Sequence, residues 1–179
     1  MDVGLLVLRV VVGLLLVGHG TRKLFAWFGG GGLAGTAWYF RSVGYRRPRL
    51  MARLAGSVEV VAGGAIALGF LTPLGAAAVI GTMLNAAVAV HRRNGLWAVD
   101  NGYEYPLMIA AAAATLAFTG AGAASVDAHL GVGDPSVESG LLAVALGLAA
   151  GAVVLVSRAT AQARAGLLSV PRRARKLAA

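Results

Sequence analysis

The chain has 179 residues, 58% hydrophobic and 13% charged, with a mean hydropathy of +0.77. A soluble domain carries about 25% charged residues, so this composition excludes an ordinary soluble globule and indicates one membrane domain. The absence of cysteine excludes disulfides, thiolate chemistry and Cys-bound metal within the chain, and the net charge of +9 invites a nucleic-acid reading that the placement of the charges rejects.

Five apolar spans follow one another: Val3 to Gly20, Met51 to Leu71, Pro73 to Val90, Tyr105 to Ala124 and Gly140 to Val156. A membrane helix needs about 20 such residues, with a working minimum of about 17, and all five pass. Met1-Asp2 lacks the basic stretch of a cleavable signal, so the first span is expected to remain as a helix. The connection from Thr21 to Leu50 carries a glycine run and then Trp38, Tyr39 and Phe40 beside Arg41. It is expected either as a short interfacial helix with aromatics at headgroup level or as a plain loop with an aromatic anchor. Thr72-Pro73 forces the second and third spans into a tight hairpin, with Pro73 in the first helical turn, where no donor is lost. With five spans, fifteen of the sixteen Lys and Arg fall on one side. By the positive-inside rule the N-terminus is then outside and the C-terminus cytoplasmic. The predicted architecture is all-α: a four-helix membrane core over residues 1–130, a loop and fifth transmembrane helix over 131–157, and a basic cytoplasmic tail over 158–179. The charge is thus a topology signal and an attraction to anionic lipid headgroups, with no nucleic-acid role.

The second span carries a carboxylate, Glu59, near its middle. An ionisable group at that depth costs roughly 2.5–3.5 kcal/mol on insertion scales, so Glu59 is expected to face protein and to have partners. Ala52, Gly56, Gly63 and Ala67 share its face, where small residues let a second helix approach. At about 1.5 Å of rise per residue, Asn85 reaches the depth of Glu59, while His19, Lys23, His91, Asn94, Tyr103 and Glu104 gather towards the cytoplasmic boundary. These eight form a candidate polar cavity, with Glu59 and His19 as proton-exchanging groups and the other six as substrate-binding residues. The plainer alternative is structural: an Asn85–Glu59 hydrogen bond joining two helices, and interfacial residues near water. Arg9 is assigned to an ion pair with Glu59, the alternative being that it snorkels outward. Haem ligation by His19 and His91, and metal binding by His19, Glu59 and His91, are the weaker readings, because axial histidines belong in a bundle core rather than at its boundary. No metal is assigned.

Several short stretches follow one another in order: Leu8-Arg9 and His19-Gly20 with Lys23; Ala37 to Gly44; Val58-Glu59 before Gly63-Gly64; Leu68 to Thr72; Asn94-Gly95; Gly102 to Tyr105; and Ser125 to Asp127. Over residues 4 to 130 they resemble the DoxX family of small bacterial membrane proteins. The resemblance implies a four-helix membrane core linked to oxidoreductase systems, including quinone-coupled ones, and says nothing of the fifth span or tail. The function expected on both grounds is a subunit in the bacterial inner membrane that binds a quinone-like or small lipophilic redox molecule and acts with a soluble redox partner. The alternatives are a scaffold that recruits such a partner through its basic face, and a small-solute or proton-coupled carrier. Self-association is left open.

Overall fold

The computed structural model describes residues 2–132 and 135–169, and all their regular structure is helical. Helix α1 is Asp2–Phe25, α2 Gly32–Ser42, α3 Pro48–Leu68, and α4 Thr72–Ala86, which continues through a π turn, Ala87–His91, and a 3-10 turn, Arg92–Asn94. Then come α5 Glu104–Thr119, the short α6 Val126–Leu130, and α7 Val137–Ser169. Asp134 and the tail beyond 169, with Arg172, Arg173, Arg175 and Lys176, lie outside the described residues.

Four stretches are long and apolar enough to cross a membrane: Asp2–Phe25, Pro48–Leu68, Thr72–Asn94 and Val137–Ala163. The expected fourth span is shorter than its sequence suggested, because Gly120 and Gly122, at φ 72° and 81°, end α5 before residue 124. It still runs from one end of the bundle to the other. Tyr105, in its first turn, packs its ring at a tilt against His19 near the end of α1, and the Ala123 amide just past α5 donates to Asp2 at the start of α1. The stretch Thr21 to Leu50 contains a short helix, α2, rather than a plain loop, and α2 packs on α3 and α1.

Glycine sets the two closest helix pairs. A Cβ at Gly63 would lie 2.7 Å from the Gly13 carbonyl, and one at Gly20 would lie 2.6 Å from that of Gly56, so α1 and α3 run antiparallel with backbones touching. Small residues allow that approach where apolar attraction between helices is lost to lipid. On the other side, a Cβ at Gly147 would lie 2.6 Å from the Ala77 carbonyl and one at Gly81 2.9 Å from that of Gly147, which seats α7 parallel to α4. Gly63 and Gly64 therefore make a clean comparison, since a Cβ at Gly64 meets nothing within 4 Å. Gly63→Val is expected to destabilise the fold by about 1–3 kcal/mol, the cost of overpacking, with Gly64→Val near neutral. Unfolding of both in mixed micelles checks this, and equal losses would refute the close α1–α3 contact.

Large buried side chains such as Ile66, Val79 and Leu116 fill the bundle towards the α3–α4 turn. The opposite half is where space remains.

Candidate functional site

A cavity of about 690 Å³ lies between α2, α3, α4 and α7. Its floor and sides come from small and apolar residues: Ala55 and Val58 on α3, Ala78 and Gly81 on α4, and Ala150 and Gly151 on α7. Thr36, Tyr39 and Phe40 of α2, with Tyr45 beyond it, close the remaining side. Lys23, Glu59, Asn85 and His91 are among its polar lining residues.

Glu59 is 4% exposed. Both of its carboxylate oxygens accept from Lys23 Nζ, which reaches up from the end of α1, and this is the one ion pair among the described residues. The Lys23 side chain keeps 26% of its surface exposed, so the pair bridges the buried wall and the open end. Asn85 donates to the Gly81 carbonyl at 3.0 Å and to the Gly151 carbonyl of α7 at 3.1 Å, and accepts from the Tyr45 hydroxyl at 3.3 Å. The expected Asn85–Glu59 bond is therefore replaced by one that joins α4 to α7, whose glycine leaves its carbonyl within reach. Tyr45 stacks on Phe40 at 5.0 Å and carries the Arg158 guanidinium 5.8 Å from its ring centre. Burial pushes its phenol above the usual value against the pull of Arg158, so Tyr45 meets Asn85 as a neutral donor.

Arg9 is a correction. It is 3% exposed, neither snorkelling nor paired with Glu59. One guanidinium nitrogen donates to the Ala67 carbonyl at 2.8 Å and the other to the Ala124 carbonyl. Ala67 is in the last turn of α3, where carbonyls lack helical partners and a cation complements the helix dipole.

His19 does not line the cavity. Its ring lies 5.6 Å from that of Tyr105, with 3.4 Å between Nε2 and the hydroxyl. His91 lines the cavity edge, and its Nδ1 lies 2.6 Å from the Asn101 carbonyl. Asn94, Tyr103 and Glu104 are not brought to the cavity; they shape the connection from 92 to 104. Asn94 Nδ2 donates to the same Asn101 carbonyl at 3.2 Å, the Tyr103 amide to Gly95 at 3.1 Å, and Glu104 accepts from the Ala98 amide at 2.8 Å. Gly102 is required there, because a Cβ would sit 2.5 Å from the Leu96 carbonyl. Among the described residues no three His, Asp or Glu side chains stand close enough to hold a metal ion.

The sequence reading missed two things. Gly31, Gly35 and Tyr39 stand at four-residue spacing in the sequence, and this face, with Phe40, is a cavity wall and more than an aromatic anchor. Asp127, given no role beyond its place in the Ser125 to Asp127 stretch, is 3% exposed and accepts from the Leu71 and Thr72 amides at 2.7 and 3.0 Å and from the Thr72 hydroxyl at 2.7 Å.

The DoxX family model matches residues 4–92, which include Glu59, Lys23 and Asn85; the stretches from Asn94 to Asp127 lie outside the match. Neither a curated protein nor a solved structure matches the chain.

Proposed function

The chain belongs to the DoxX family through residues 4–92 and is a multi-pass membrane protein of a family linked to oxidoreductase systems; from that premise we propose that it binds a quinone-like lipophilic redox molecule in the cavity beside Lys23 and Glu59. The observation that carries this is the Lys23–Glu59 pair, its carboxylate buried, in the wall of a largely apolar space. Pockets for small molecules have volumes of about 300–1,000 Å³ and combine apolar walls with a few converging polar groups, and the cavity of about 690 Å³ fits that description. A quinone ring, when bound, supplies two-electron redox chemistry coupled to protons. Lys23 offers donors to a ring carbonyl, Glu59 holds a proton acceptor next to it, and the Tyr45–Asn85 bond fixes the far wall. His19 lies on the α1–α5 contact, so direct proton exchange at the ring falls to Glu59 and Lys23. The gathering of Lys and Arg at the cavity end supports a cytoplasmic position for that end and a bacterial inner membrane as its site. A soluble redox partner would meet the chain there. The rival reading is a scaffold acting through its basic loops and tail, of which Arg172, Arg173, Arg175 and Lys176 lie outside the described residues.

The test is binding of a short-chain quinone to the purified chain in nanodiscs. Glu59→Gln is expected to weaken it about tenfold or more, the effect of a charged hydrogen bond. Affinity unchanged in both Glu59→Gln and Asn85→Leu would refute the site.

A further inference from the structure

A second crevice, of about 560 Å³, lies between the end of α2, the π turn after α4 and the stretch of α7 from Leu155 to Gln162, and Val90 borders both spaces. Val88, Leu155 and Val156 give it an apolar side, and Arg92, Arg93 and Arg158, with Ser42 and Gln162, give it a polar one. Arg158 is fixed: Nε donates to the Val43 carbonyl at 2.7 Å and the guanidinium lies over Tyr45. Arg92 and Arg93 are exposed and form no ion pair among the described residues. Three guanidiniums around one opening repel one another, an arrangement that an anion turns favourable. Guanidinium forks match phosphate oxygens in geometry as well as charge. A free anion has no use for a wall of valine and leucine, whereas a lipid places its phosphate and its chain side by side at this level of a bundle.

We propose that this crevice is a binding site for the phosphate of a phospholipid headgroup, with the acyl chain along Val88, Leu155 and Val156. This is a defined site, beyond the diffuse attraction of the basic face, and it stands apart from the redox reading of the larger cavity.

The experiment uses the whole chain in phosphatidylcholine nanodiscs with and without phosphatidylglycerol, reading the retained anionic lipid by native mass spectrometry. Arg92→Gln with Arg93→Gln is expected to weaken retention about tenfold or more. Arg46→Gln with Arg47→Gln removes the same charge from the exposed α2–α3 connection and should leave it unchanged. Arg92→Lys with Arg93→Lys keeps the charge but not the fork, and should lose part of the retention even if the glutamine pair does not fold. Equal losses in the glutamine pair and the Arg46/Arg47 control, or no loss in either Arg92/Arg93 variant, would overturn the site. Inorganic phosphate is titrated in the lipid-neutral preparation. If it raises the thermal midpoint as much as phosphatidylglycerol does, the occupant is the free anion and the lipid assignment fails.

Discussion

Lys23→Met is expected to destabilise the folded chain by about 3–5 kcal/mol, the cost of leaving one member of a buried ion pair alone. Glu59 is 4% exposed and both of its oxygens are committed to Lys23. No second cation replaces the lost one, because Arg9 is occupied by the Ala67 and Ala124 carbonyls. Adding Glu59→Gln removes the stranded charge, so the double variant should recover most of the loss. A double-mutant cycle of unfolding in mixed micelles measures this, with a coupling of about 2 kcal/mol or more expected between contacting charges. Additive losses would mean that the two groups do not act as a pair. The same cycle separates stability from function. Uncharged residues often substitute for a buried pair without loss of stability, so a double variant as stable as the original that no longer binds a short-chain quinone would show the pair to be kept for the ligand.

What could be read from the sequence was what cost alone dictates. A carboxylate in the middle of a span is expensive, so Glu59 had to be enclosed, and the small residues around it had to be a helix contact. Which partner it takes depends on register, and register is set by contacts between segments. Gly13 meets Gly63 and Gly20 meets Gly56. That brings Arg9 level with Ala67, about 12 Å of rise from Glu59, against about 9 Å for Lys23. Arg9 takes the carbonyl at its own level, and the shorter reach goes to Lys23. The same gap misled for Asn94, Tyr103 and Glu104. Polar residues at a membrane boundary can face a cavity or one another, and here the glycines at 95 and 102 let the connection fold back on itself. Composition gave the fourth span its length, but two glycines at positive φ shortened the helix.

Asp127→Ala is expected to cost about 2–6 kcal/mol, by orphaning two amides at roughly 1–3 kcal/mol each. Helix α4 begins without a cap of its own: its N-cap residue, Leu71, is in the left-handed region at φ 47° and offers no side-chain acceptor. Asp127 supplies one from another part of the chain, taking the Leu71 and Thr72 amides and the Thr72 hydroxyl. A carboxylate there also meets the positive pole of α4, while Arg9 meets the negative pole of α3 on the other side of the same turn. The two charges thus hold opposite helix ends and fasten the hairpin to α1 and to the segment after α5. Asp127→Asn retains one acceptor but turns an amide group towards N–H donors, so it should recover only part of the loss. Hydrogen exchange at Leu71 and Thr72 should quicken in both variants. Quinone affinity should stay within about twofold once the variants are folded, because the cavity lies towards the other end of the bundle. Stability within about 0.5 kcal/mol of the original, the range of an ordinary surface change, would show that the hairpin is fastened elsewhere. A large drop in quinone affinity would instead tie the turn to the cavity and make the packed half part of the site.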